Sequence, residues 1–78
     1  TRLVYGAPDY LPVDEAHPVR ARSYYAAHKV LLEQYLQVLR QTEGLGSIVF
    51  RLSSPYGPFA PARRGSYGVL NMFMQMAL

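Results

Sequence analysis

Tyr25 and Lys29 stand four residues apart in the stretch SYYAAHKVLLEQYL, with Ser23 two places before the phenol. On a helix that spacing puts both side chains on one face, one turn apart. A neutral phenol, whose ordinary pKa is ~10, is a poor proton acceptor near pH 7. A lysine charge ~6 Å away, at an effective dielectric near ~20, contributes roughly 2.8 kcal/mol in favour of the phenolate. Tyr25 can then act as a base towards a ligand hydroxyl, with Lys29 as its electrostatic support. Plain packing of a lysine stem against a ring uses the same spacing. Seven tyrosines in 78 residues make such a pair easy to find, so the surrounding elements must decide. Tyr24 is the weaker candidate, because it lies about 100° further round the helix from Tyr25.

Several elements are expected to position the pair. RLVYG is a short β-rich run closed by Gly6, the end of a strand. Pro8, Pro12 and Pro18 make the next sixteen residues, APDYLPVDEAHPVRAR, a loop. A helix over residues 23–43 follows, with Lys29, Glu33, Gln37 and Arg40 as a polar stripe at the helical period. Gly44 or Gly46 ends it. SIVFRL reads as a buried strand, SSPYGPFAPARRG as a second loop and YGVLNMFMQMAL as a second helix. The order strand, loop, helix, strand, loop, helix predicts an α/β fold with a parallel sheet and right-handed crossovers. Ligands of such sheets sit beyond the carboxyl ends of the strands, where both loops and Tyr25 would meet.

Composition narrows the function. The chain is 50% apolar, carries a net charge of +3 and has no cysteine. Disulfides and thiolate metal sites are therefore excluded, and His17 and His28, both expected at the surface, lack the spacing of metal ligands. No metal is expected. The charge is too mild for a nucleic-acid binder, and no apolar run approaches the ~20 residues of a membrane span. With no leader-like amino end, a cytoplasmic location is expected. The chain opens on Thr1 rather than methionine and stops at Leu78 inside an apolar run, as part of a longer domain would.

Quoted in order, TRLVYG, LPVDEAHP, SYYAAHK with Glu33, RLSSPYGP and GVLNMFMQMAL resemble successive motifs of one family, the extended short-chain dehydrogenase/reductases. Those enzymes include the NAD-dependent sugar-nucleotide epimerases and dehydratases. The resemblance covers all 78 residues. It implies part of a Rossmann-like, doubly wound parallel sheet: the carboxyl-terminal half of an NAD-dependent epimerase/dehydratase domain with the start of its substrate lobe. The glycine fingerprint for the nucleotide phosphates is absent, and GLGSIV is no substitute because it precedes a strand. The chain alone is not expected to turn over substrate.

The resemblance also implies roles. Thr1, Tyr25 and Lys29 would be catalytic; Tyr25, Lys29 and Leu52 would hold NAD; Thr1, Ser54 and Asn71 would meet a nucleotide sugar. Ser54 stands where the family usually has asparagine. Arg51 reads as structural, and Arg63 and Arg64 as a solvated loop. Lys29 and Glu33 can also pair with each other, which competes with the catalytic role. Arg2 and Leu3 stand where the dehydratases and decarboxylases carry acids, so the expected reaction is epimerisation at sugar C4. A dehydratase, decarboxylase or reductase of the same fold is the alternative, as is a non-catalytic NAD-binding relative. A homodimer of the full-length protein through residues 23–43 is implied by resemblance alone.

Overall fold

The computed structural model describes residues 1–57 and 69–78. It contains a 3₁₀ turn, Arg2–Tyr5, a long helix α1, Tyr24–Glu43, and a short helix α2, Val69–Ala77. Among the described residues there is no β-strand. This corrects the expected α/β sheet and, with it, the Rossmann-like architecture implied by the resemblance.

The reason lies in how strands form. A strand is stable only when its backbone groups are paired with a neighbour, and neither β-rich run finds one here. RLVY winds instead into a 3₁₀ turn, in which Val4 and Gly6 donate to the carbonyls of Thr1 and Leu3. Thr1 caps it, its hydroxyl oxygen accepting from the Leu3 N–H at 3.3 Å. Residues 45–53 have no assigned secondary structure. They touch the turn through a backbone bond from the Arg2 N–H to the Leu52 carbonyl, at 3.0 Å. One such bond does not make a ladder.

Helix α1 follows its sequence closely. Ser23 is the N-cap, accepting from the Ala26 N–H at 3.1 Å, which is worth about 1 kcal/mol in a typical helix. Gly44 ends the helix in the left-handed region, φ 67°, and its N–H returns to the Arg40 carbonyl. The helix packs on the 3₁₀ turn. The buried residues are Val4 and Tyr5 of the turn, Ala26 of the helix and His17 of the intervening loop. Lys29, Val30 and Glu33 lie half-buried on the same side, while Leu31, Tyr35 and Val38 are exposed.

The loop over residues 7–22 is fixed by polar contacts. His17 is only 2% exposed, which corrects its expected surface position. Its Nδ1 lies 2.8 Å from the Pro18 carbonyl and its Nε2 accepts from the Asp9 N–H at 2.9 Å. A carbonyl only accepts and an amide N–H only donates, so the imidazole carries its proton on Nδ1. Arg20 grips both oxygens of Asp9 and holds that carboxyl below its usual range. Tyr10 donates to Asp14 at 2.6 Å; that bond pushes the phenol up to about 12. The Arg20 N–H returns to the Val4 carbonyl at 2.9 Å, tying the end of the loop to the turn.

Candidate functional site

Tyr25 is the second residue of α1 and Lys29 follows one turn later, so the Ser23 cap and the helical period place both. The Lys29 Nζ lies 5.4 Å from the centroid of the Tyr25 ring. An ammonium at that range is drawn to the ring face by its quadrupole, an attraction of about 0.5–1 kcal/mol at exposed positions. Tyr25 is 54% exposed and Lys29 half-buried, so both remain accessible to a ligand.

The competing Lys29–Glu33 pair does not form. Glu33 is taken by Arg51, whose Nε approaches both carboxylate oxygens, at 3.0 and 3.2 Å, and whose Nη2 donates at 2.6 Å. The two side chains are 24% and 19% exposed, which shields the pair from water on most sides. Arg51 also donates to the Tyr5 hydroxyl at 2.8 Å, and its guanidinium stacks 4.8 Å from the Tyr5 ring centroid. Hydrogen bonding from Arg51 holds the Glu33 carboxyl below its usual range, against the opposing effect of burial. The bond to Glu33, then that to Tyr5, raises Arg51 further. One guanidinium thus joins the turn, the helix and residues 45–53, the structural role expected of it.

Leu52 and Ser54, two of the other expected site residues, line a cleft that Tyr25 does not. An open cleft of about 970 Å³ is lined by Arg2, Asp14, Glu15, Arg51, Leu52 and Ser54 among others, and by neither Tyr25 nor Lys29. Chemistry, not cleft size, makes Tyr25 and Lys29 the candidate site, because there the chain's one lysine ammonium adjoins a phenol. Ser54 has φ 42°, unusual for a residue with a Cβ. Thr1 uses its oxygen as a cap. Asn71 falls within α2, its side chain outside the described residues, as are Arg63 and Arg64. No group of His, Asp and Glu among the described residues could hold a metal ion.

Two features escaped the sequence. Arg51 and Glu33 are 18 positions apart, and no local period links them. The buried His17 carries no signal of its own beyond a following proline.

The profile of the NAD dependent epimerase/dehydratase family matches residues 1–78. A protein of Methanocaldococcus jannaschii named "Putative UDP-glucose 4-epimerase" is 36% identical over 75 residues, 96% of this chain and 24% of that one. The UDP-glucose 4-epimerase of Mus musculus is 35% identical over 75 residues, 91% of this chain and 22% of its own length. That of Azospirillum brasilense is 34% identical over 65 residues, 83% and 19% respectively. The chain spans about a fifth to a quarter of the length of these curated relatives. No solved structure gives a significant match.

The functional expectations need correction all the same. Binding NAD was expected to rest on a parallel sheet, and the described residues contain none. Hydride transfer at C4 of a nucleotide sugar, with Tyr25 as base and Thr1 assisting, required the same scaffold and falls with it. So does each alternative: dehydratase, decarboxylase, reductase or NAD-binding relative. The dimer between helices presupposed that fold too and is not carried further. No helix among the described residues is long and apolar enough to cross a membrane. What the motifs and the identities do establish is kinship in sequence: the chain belongs to the NAD dependent epimerase/dehydratase family.

Proposed function

We propose that residues 1–78 are part of a larger domain and serve as a ligand-facing segment, in which Tyr25 and Lys29 bind the oxygen atoms of a hydroxyl-bearing ligand. The observation that carries this reading is the ammonium 5.4 Å from the phenol ring, on an accessible turn of α1. A phenol both donates and accepts, while an ammonium only donates, so the two together suit an oxygen that needs partners of both kinds. Thr1 would add a second hydroxyl, and Leu52, Ser54 and Asn71 further contacts to the same ligand away from Tyr25; these assignments lean on their register with the family's motifs. The relatives' names concern a reaction on UDP-glucose. A cytoplasmic location belongs to the proposal as well, with recovery in the cytosol on cell fractionation as the expected result.

Equilibrium titration with glucose 1-phosphate, with inorganic phosphate as control, tests the reading. Removing one charge-assisted bond costs about 1.5–3 kcal/mol, so Lys29→Met should weaken saturable binding about tenfold or more. Tyr25→Phe, which loses a neutral bond, should weaken it less. Equal affinity in wild type and both variants, or no saturable binding, would end this reading.

A further inference from the structure

Helix α1 places a carboxylate and an ammonium where they would ordinarily meet. Glu33 follows Lys29 by four residues, the spacing of a helical ion pair. Yet all three contacts of the Glu33 carboxylate run to Arg51, at 2.6 to 3.2 Å. The ion pairs among the described residues are Arg20–Asp9 and Arg51–Glu33, and Lys29 joins neither. Its ammonium lies over Tyr25 instead.

We infer that Arg51 is a positioning residue: by occupying both oxygens of Glu33 it keeps that carboxylate off Lys29 and leaves the ammonium to Tyr25. Three observations bear on this. The guanidinium fork matches a carboxylate in two places, whereas lysine offers a single point charge, so Arg51 outcompetes Lys29 for Glu33. Arg51 is itself anchored on its far side by the Tyr5 hydroxyl and ring. Tyr5 in turn is 9% exposed, in the buried contact beneath α1. The competition is thus decided by a residue whose own hydrogen bonds run to Glu33 and Tyr5 and not to Lys29 or Tyr25. The value of the arrangement to a ligand rests on the reading of Tyr25 and Lys29 given above; the sequestration of Glu33 does not.

Lys29 is the only lysine of the chain, so amine acylation reports on it alone once the peptide bearing it is isolated and weighed. A carboxylate partner favours the charged ammonium and slows acylation. With Arg51→Gln, Glu33 becomes free to pair, and the Lys29 acetylation rate at pH 8 should fall roughly twofold to fivefold, the range of an exposed ion pair. Arg51→Gln combined with Glu33→Gln should restore it. A merely structural Arg51 would not be rescued by removing Glu33. An unchanged rate in Arg51→Gln, or a fall that persists in the double variant, overturns the inference. Should Arg51→Gln fail to fold, Glu33→Gln alone decides. Its rate should match wild type, and a twofold rise would show that Glu33 already held Lys29. None of these rates involves the ligand, so a failure in glucose 1-phosphate binding leaves them standing.

Discussion

Arg51→Met should destabilise the protein by about 1–3 kcal/mol, because a largely covered carboxylate exchanges the two-point guanidinium fork for at most the single point charge of Lys29. Methionine keeps the stem and removes the fork, which separates the lost pairing from lost packing. The Tyr5 hydroxyl loses its donor in the same step. The pH dependence of stability should change with it. Hydrogen bonds from Arg51 depress Glu33 in the folded chain below its ordinary 4.5. A carboxyl depressed on folding contributes stability that is fully present above the unfolded value and is lost as pH falls through the folded one. Wild-type stability should therefore decline below about pH 4.5, and Arg51→Met should flatten that decline. Denaturant unfolding between pH 7 and pH 3 measures both. An acid decline of equal slope in the variant would mean that Arg51 is not what holds Glu33.

A second large effect is expected at Gly6. Its φ of 69° and ψ of −142° lie in a region that residues with a Cβ rarely enter. A Cβ built there would also run into the Arg20 carbonyl oxygen, which is backbone and cannot swing aside. The neighbouring bond from the Arg20 N–H to the Val4 carbonyl leaves little room to retreat. Backbone strain and this collision together should make Gly6→Ala cost about 3 kcal/mol or more. The loop should also loosen from the turn, with faster hydrogen exchange at the Arg20 amide. Gly44→Ala is the matching control, for nothing lies within 4 Å of its Cβ position. It should pay only the left-handed backbone cost, about 1–2 kcal/mol. Equal losses at the two positions would remove the collision from the account.

What could be read from the residues was local. Helix α1 was legible along its length: a polar stripe at intervals of three and four, and a stop at Gly44 or Gly46, of which Gly44 takes the role; the cap at Ser23 was not read. The closeness of Tyr25 and Lys29 followed from the same period. The strands were not legible, because a strand is a relation between segments and not a property of one. RLVYG and SIVFRL have the composition of strands, but the first coils into a 3₁₀ turn and the second is left without a ladder. Residue order then suggested a sheet that the backbone bonds do not make. The Arg51–Glu33 pair was hidden for a related reason: it joins a helix to a distant segment, and no periodicity reaches that far. His17 looked like any polar loop residue; its burial depends on Tyr5 and Tyr10, whose rings pack 5.5 and 5.1 Å from it.

The most direct measurement is a proton NMR experiment on the one lysine. With Arg51 holding Glu33, the Lys29 Hε protons should show cross-relaxation to the Tyr25 ring, and their upfield ring shift should vanish in Tyr25→Leu. Cross-relaxation from Lys29 to the Glu33 Hγ protons, with none to the Tyr25 ring, would contradict the account.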